Sequence, residues 1–249
     1  MGMGSSGRKG FTLLELSIVL VIIGLIIGGV TVGKELIRSA ELNSVISDVS
    51  KFKVALNSFK LKYNVLPGDM KNAEAYWGVA HAVPATCKIT AGTDTETCNG
   101  DGDGIIDNTI GSDERVRSWQ HLGNAGILPG SYTGINGSAP IYAGNVNVPK
   151  TSVGGSSYWF ISYYTYINAS AASFDIPAGH RLSLITGLTT EESFVIDQKI
   201  DDGDPANGNV TVGKNHTTAA GVAPPGDAGA TYDLTSTDIV NALGFRVLK

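Results

Sequence analysis

The run NGDGDGIID at residues 99–107 has the residue types of a calcium-binding loop. Oxygen-bearing side chains alternate along it, and a glycine for a sharp turn and an aliphatic residue follow, as at the front of an EF-hand-type loop. Calcium favours this pattern because about six to eight oxygens must converge on a hard cation. The loop therefore predicts a structural Ca²⁺ site. The predicted ligand residues are Asn99, Asp101, Asp103, Ile105 and Asp107.

The back of the loop departs from the EF-hand pattern, because its twelfth position is Ile110. Asp113 or Glu114 are candidate substitutes for the missing carboxylate, and other loops are a further source of ligands. The alternative is an Asp/Gly-rich turn cluster without a metal. A second acidic group follows a predicted strand and is compatible with metal binding, turn capping or a solvated surface. Its members are Asp201, Asp202 and Asp204.

The chain contains two cysteines, Cys87 and Cys98, which close a short ring beside this loop. If this part of the chain is exported, a disulfide between them is expected, and it would hold the entry to the loop. The alternative is two unrelated thiols. A zinc site is not expected, because no second Cys or His pair has suitable spacing nearby.

Glu15 lies inside an apolar segment, where a carboxylate is costly unless it has a partner. No charged residue occurs from Leu16 to Gly33. With its start at Phe11, the segment has about 22 residues and a length of roughly 33 Å as a helix, which is enough to cross a bilayer. Glu15 is therefore a candidate functional residue, the alternative being a shallow position near the lipid headgroups.

A membrane anchor explains this segment better than a secretory signal peptide does. Arg8 and Lys9 precede it and predict a cytoplasmic N-terminal side, so that residues after Lys34 lie outside. The apolar run is longer than a typical signal core, and no small-x-small cleavage site follows it.

The helical pattern continues beyond the membrane segment as an amphipathic stalk. Apolar residues recur at spacings of three and four, and no proline occurs between Phe11 and Val65, so a continuous helix is expected. The stripe fits packing under a globular head at least as well as a coiled coil. Its members are Leu42, Val45, Val49, Phe52, Leu56, Phe59 and Tyr63.

The segment GFTLLEL at residues 10–16, preceded by Arg8 and Lys9, resembles the processing site of type IV prepilins and type II secretion pseudopilins. The resemblance implies cleavage between Gly10 and Phe11 by a prepilin peptidase, followed by N-methylation of Phe11. It also implies that Glu15 pairs with the new amino terminus of a neighbouring subunit. Such a pair would act as a register device, because each charge alone is costly in an apolar core.

The family pattern implies a membrane protein that polymerises. Its expected partners are further copies and other pilin-like subunits, the prepilin peptidase and an inner-membrane assembly platform. The expected location is the bacterial inner membrane with a periplasmic head, followed by a filament that can reach the cell surface. Many major pilins carry a stalk proline and a disulfide near the C-terminus, whereas this chain has neither. The differences favour a pseudopilin or a minor pilin.

The expected fold class is α+β, with a long N-terminal helix packed against a head that contains an antiparallel sheet. The domain organisation is a cleaved leader at 1–10, a transmembrane helix at 11–33, a stalk helix at 34–63 and a head at 64–249. Within the head, a short helix at 73–78 and a second one from Arg115 to about Gly126 precede the sheet. Strands are expected at 141–142, 158–167, 181–186, 194–196, 210–212 and 245–248.

Several head segments are similar to a group of large prepilin-like bacterial proteins, and this match extends the expectation of one head domain over most of residues 64–249. The segments are YNVLPGDM, AYWG, DGDGIID, WQHLGNAGIL and GSYTG.

The charge and the motifs argue against two other functional classes. A net charge of -5 and the absence of a basic stripe in the head disfavour nucleic-acid binding. The four histidines fit no metal or triad motif, and no nucleophile elbow or phosphate-binding loop occurs, so an enzyme is not expected. The competing hypothesis is a membrane-anchored module that binds calcium or another ligand and never polymerises.

Overall fold

The structure is a computed structural model, and its first element is a long helix, α1, over Leu13–Tyr63. Its 51 residues confirm the predicted uninterrupted helix. The leader residues 1–9 fall outside the described part of the chain. The described residues are 10–87, 89–107, 113–136, 141–154, 157–164, 179–205, 208–213, 232, 234–235 and 239–248.

The chain divides into two compact units, Met1–Glu41 and Leu42–Lys249. The described part of the first unit is the N-terminal portion of α1, whose apolar side chains are exposed. The second unit contains the remainder of α1 together with all the other helices and strands described below.

The stripe predicted along the stalk forms one wall of the core of the second unit. Leu42, Val45, Val49, Phe52, Leu56 and Phe59 are buried, and Tyr63 is partly buried. The ring of Phe52 lies 5.0 Å from that of Trp119 and 5.5 Å from that of Trp159, both edge-on. Burying a large apolar side chain contributes about 1.5–3 kcal/mol, so this stripe is a major source of stability. The prediction that the stripe packs under the head is confirmed.

A four-stranded antiparallel sheet forms the other main layer. The strands are β1 (Tyr158–Tyr164), β2 (Gly179–Thr189), β3 (Val210–Gly213) and β4 (Ile239–Leu248), in the order β1-β2-β4-β3. Tyr158 pairs with Ile185, and Val210 pairs with Phe245. The inward-facing side chains of Trp159, Leu182 and Phe245 are buried in the same core as the α1 stripe. The α+β class with an antiparallel sheet is confirmed.

Along the chain, three short helices come after α1 and before the first strand: α2 (Ala73–Trp77), α3 (Pro84–Cys87) and α4 (Glu114–Asn124). α2 and α4 confirm the two predicted helices, although α3 was not anticipated. In α4 the predicted apolar face of Val116, Trp119 and Leu122 is fully buried. The helix ends at Asn124 with Ala125 as its C-cap, and Gly126 follows with a left-handed φ of 68°.

Two predicted strands are wrong. Residues 194–196 belong to a helix, α5 (Thr190–Ile200), so the helices do not all precede the sheet. A capping box begins α5: Thr189 accepts a hydrogen bond from the Glu192 N–H at 3.2 Å and donates its own N–H to the Glu192 carboxylate at 2.9 Å. These two capping hydrogen bonds favour a helix, although the Phe-Val-Ile triplet at 194–196 has a high strand propensity.

Ile141 and Tyr142 do not form a strand but lie in a bend. The bend is held by Asn147, whose side-chain amide donates to the Ile141 carbonyl at 2.7 Å. This local hydrogen bond gives the backbone an alternative to sheet pairing. Of the predicted strand 158–167, residues 158–164 form β1, and 165–167 lie outside the described residues.

Candidate functional site

The N-terminal end of α1 is exposed and begins with a capping box. Gly10 and Phe11 precede the helix, and Phe11 is 91% exposed. Oε2 of Glu15 accepts hydrogen bonds from the N–H and the hydroxyl of Thr12, both at 2.8 Å. The N–H of Glu15 donates in return to the Thr12 hydroxyl at 3.2 Å. The TLLE run at residues 12–15 carries the sequence signal for a capping box, although only Glu15 was predicted from the sequence.

The segment that follows is long and apolar enough to span a membrane. Within Leu13–Tyr63, an apolar stretch of 18 residues is fully exposed, with none of it buried. Gly24, Gly28 and Gly29 have open space where a Cβ would lie. Their small surface permits close approach of another helix.

Residues 5–31 match the family model of the prokaryotic N-terminal methylation motif. The chain carries the type IV prepilin and pseudopilin signature. This prepilin-type motif covers the predicted processing site, Glu15 and most of the apolar segment, and with the exposed helix it fits membrane anchoring. No curated protein and no solved structure matches the chain. The head therefore has to be interpreted from its own geometry.

In the head, Asp69, Asp101 and Asp103 bring carboxylate oxygens within 4.8 Å of one another. Asp69 is only 1% exposed, and its Oδ2 accepts a hydrogen bond from the Gly104 N–H at 3.0 Å. Its Oδ1 is buried and has no hydrogen-bond partner among the described residues. The sequence analysis did not identify Asp69 as part of this group, because it is distant from the loop along the chain.

The loop itself takes the tight conformation expected of it. Oδ1 of Asp101 accepts from the Asp103 N–H at 3.2 Å, and Oδ1 of Asp103 accepts from the Ile105 N–H at 2.9 Å. Gly104 has a φ of 92°, a left-handed value that glycine adopts without steric cost. The successive turns keep Asp101 and Asp103 on the side that faces Asp69.

Glu114 of α4 accepts hydrogen bonds from the backbone of the loop. It is buried, its Oε1 accepts from the Asp101 N–H at 3.0 Å, and its Oε2 accepts from the Asp107 N–H at 3.4 Å. Burial raises the pKa of Glu114 to about 8, and the charges of Asp69 and Asp101 act in the same direction. Burial also raises the pKa of Asp69 to about 6. The charged forms of these neighbouring carboxyl groups are thus unfavourable unless a cation compensates their negative charge.

The other predicted ligand residues form hydrogen bonds or ion pairs within the head. Oδ1 of Asn99 accepts a hydrogen bond from the Glu74 N–H at 3.0 Å, which ties the loop to α2. Ile105 and Asp107 take part through their backbone N–H groups, as described above. Asp113, a candidate substitute ligand, instead caps α4 and forms an ion pair with Arg115 at 2.7 Å. Ile110 lies outside the described residues.

Cys87 and Cys98 form a disulfide, as predicted, and their Cα atoms are 5.9 Å apart. The bond joins the end of α3 to the residue before Asn99, so it anchors the entry to the loop. Arg117 of α4 is fully buried beside it and donates to the Cys87 carbonyl at 3.2 Å.

The two buried histidines of the described residues act as hydrogen-bond acceptors for loop backbone. The Gly68 N–H donates to Nδ1 of His121 at 3.0 Å, and the Ile106 N–H donates to Nε2 of His180 at 3.1 Å. Burial lowers the pKa of His121 to about 3 and that of His180 to about 4. Both rings are therefore neutral at physiological pH and hold the segments on either side of the acidic group.

Proposed function

We propose that this chain is a structural subunit of a type IV pilus-like or type II secretion pseudopilus filament. The observation that carries the proposal is the methylation motif at residues 5–31, which is continuous with an exposed apolar helix. In this proposal the subunit first resides in the inner membrane with its head in the periplasm. It is then extracted into a filament with other copies or other pilin-like subunits through an assembly platform.

Processing would occur at the Gly10–Phe11 bond. Both residues are exposed and precede the first helical residue, Leu13, so the bond is not protected by helical hydrogen bonding. Cleavage leaves the capping box intact, because Thr12 and Glu15 both lie on the C-terminal side of the bond. The mature chain would begin at N-methylated Phe11 with α1 already nucleated.

Assembly would use the charge of Glu15. Both hydrogen bonds from Thr12 end on Oε2, which leaves Oε1 to accept the N-terminal ammonium of a neighbouring Phe11. An ammonium and a carboxylate are each unfavourable in an apolar filament core but tolerable together. The pairing would favour one stagger between adjacent subunits and so define their register.

The experiment that tests the proposal is intact-mass and N-terminal peptide analysis of the protein from its native membrane, with prepilin peptidase present. A mature chain that starts at N-methylated Phe11 is the expected result. A chain that retains residues 1–10 would contradict processing and would support the non-polymerising membrane-anchored module instead. A strain without the peptidase is the control, because it should yield only the uncleaved chain.

We also propose that the head binds a structural Ca²⁺ ion between Asp69, Asp101 and Asp103. The support is the buried Oδ1 of Asp69, which has no hydrogen-bond partner among the described residues and belongs to a group of three converging carboxylates. Oxygen ligands of this kind suit a hard cation. Asn99, Ile105 and Asp107 are the further loop positions from which ligands would come. The ion would join the turn after α1 to the loop.

A further inference from the structure

A second group of carboxylates lies at the end of α5, far along the chain from the predicted calcium loop. Asp197 is in the last turn of the helix, and Asp201 and Asp202 follow it. The carboxylate oxygens of these residues lie within 4.8 Å of one another. The group brings up to three negative charges together, which repel one another unless protons or a cation compensate them.

Asp197 is fully buried, and one of its oxygens lacks a partner. Its Oδ2 accepts a hydrogen bond from the Tyr232 hydroxyl at 3.0 Å. Its Oδ1 is buried without a hydrogen-bond partner among the described residues. A buried carboxylate oxygen usually has a partner, because losing water without replacement costs free energy. Asp197, whose Oδ1 lacks a partner, belongs to the group that includes Asp201 and Asp202.

The two other carboxylates are oriented by backbone donors. Asp201 accepts hydrogen bonds from the N–H groups of Asn209 and Val210, at the start of β3. Oδ1 of Asp202 accepts from the Asp204 N–H at 2.9 Å, in a turn where Gly203 takes a φ of 79°. These hydrogen bonds hold the carboxylates in place without neutralising their charge.

We propose that Asp197, Asp201 and Asp202 form a second cation site, which takes a hard divalent ion of the calcium class. The donor atoms are all carboxylate oxygens, which calcium and similar ions prefer over the softer transition metals. The ion would occupy the space faced by Oδ1 of Asp197. The site shares no residue with the group at Asp69 and does not depend on whether the chain polymerises.

The position of the site indicates what the ion would stabilise. β3 is an edge strand in the order β1-β2-β4-β3, and it is the shortest strand of the described sheet. Asp201 holds the start of β3, and Asp197 holds Tyr232. A bound ion would therefore fasten the edge strand and Tyr232 to the end of α5.

Calorimetric titration of the full chain with CaCl₂, in detergent micelles after treatment with a chelator, tests the proposal. Asp202→Asn is the main variant, since Asp202 is exposed and asparagine keeps the oxygen that accepts from Asp204. Asp197→Asn is the second variant, because it retains an acceptor for Tyr232. Asp94→Asn is the matched control: Asp94 is exposed and outside both groups, and asparagine tolerates its φ of 54°.

The expected result is two Ca²⁺ ions per wild-type or Asp94→Asn chain and one fewer in Asp202→Asn and in Asp197→Asn. The variant Asp69→Asn should lose the other ion, so each site is scored separately. Unchanged stoichiometry and affinity in both Asp202→Asn and Asp197→Asn would overturn the second site, as would a wild-type chain that binds no calcium. Circular dichroism of each variant verifies that a lost ion does not reflect a lost fold.

Discussion

The backbone N–H of Gly104 donates a hydrogen bond of 3.0 Å to Oδ2 of Asp69, which lies 35 residues earlier in the chain. This contact joins the turn that follows the stalk helix to the loop that the sequence marks as a calcium site. The contact brings to the loop a buried carboxylate that does not belong to the EF-hand pattern. The acidic group of the head is therefore assembled from two segments, and its properties depend on both.

Replacing Asp69 should remove the stabilisation of the head by calcium at this site. Wild-type protein in detergent micelles should melt at a higher temperature with CaCl₂ than with chelator, by an amount that corresponds to about 2.7 kcal/mol at a hundredfold excess over Kd. Asp69→Asn should show a smaller calcium-dependent shift. In chelator it should be at least as stable as wild type, because burial disfavours the charged carboxylate of Asp69.

The control for this prediction is Asp94→Asn, which makes the same chemical change at an exposed position. Its calcium-dependent shift should equal that of wild type. An Asp69→Asn variant that keeps the full shift would contradict calcium binding at Asp69. Differential scanning fluorimetry of the tryptophans provides the measurement.

Substitutions at Glu15 should separate its charge from its role as a helix cap. Glu15→Ala removes both functions, whereas Glu15→Gln retains the capping box, since glutamine can accept from the Thr12 N–H. Both variants should be strongly impaired in filament incorporation while their heads remain folded. The physical reason is the loss of the carboxylate that would pair with the amine of Phe11.

Incorporation is measured by immunoblotting of sheared filaments against the membrane-bound pool. Normal incorporation of Glu15→Gln with failure of Glu15→Ala would mean that capping, rather than charge pairing, is required. Normal incorporation of both variants would exclude the pairing mechanism altogether.

Truncation of Phe52 should destabilise the head severely. The side chain is 4% exposed and contacts the rings of Trp119 and Trp159 edge-on. Phe52→Ala should lower the free energy of unfolding by about 3–5 kcal/mol, because it leaves a cavity between these rings. Val54→Ala is the neighbouring control: Val54 is 65% exposed, and its truncation should cost less than about 0.5 kcal/mol.

Guanidinium unfolding followed by tryptophan fluorescence measures both values for the full chain in detergent. A cost for Phe52→Ala no greater than that for Val54→Ala would mean that the stalk stripe does not support the head.

His121 should make the head less stable in acid. Its pKa is lowered to about 3 in the folded protein, from an ordinary value of 6.5, chiefly by burial. Between these two pH values the unfolded chain binds more protons than the folded one. The contribution of His121 to the free energy of unfolding is therefore constant above pH 6.5. As the pH falls from 6.5 toward 3, this contribution decreases by up to about 1.4 kcal/mol per pH unit.

The variant His121→Gln removes this proton uptake while leaving an acceptor near the Gly68 N–H. Its unfolding free energy, measured at intervals from pH 4 to pH 7, should change less steeply with pH than that of wild type, even if it is lower throughout. Comparison with wild type cancels the opposite contributions of the buried acids. Parallel profiles would show that His121 does not account for acid sensitivity.

Local patterns in the sequence were enough to predict the elements whose structure depends on near neighbours. Helix α1 and its buried face followed from apolar spacing, and α4 followed from Val116, Trp119 and Leu122 in the same way. The assignment of residues 194–196 to a strand failed because it weighed side-chain propensity and overlooked the capping signal at Thr189 and Glu192. That signal is also local, so a closer reading of the sequence would have corrected it.

Four features could be predicted from residue types alone: the methylation motif, the apolar helix with Glu15 near its start, the disulfide and the acidic character of the loop. All of these depend on residue type and short-range spacing. The side chains that surround that loop become evident from the folded chain: Asp69 from the turn after α1, Glu114 from α4, and the neutral rings of His121 and His180. The same holds for Asp197 and its bond to Tyr232. Burial and the pKa shifts that follow from it arise when distant segments pack together, and no local pattern encodes which segments these are.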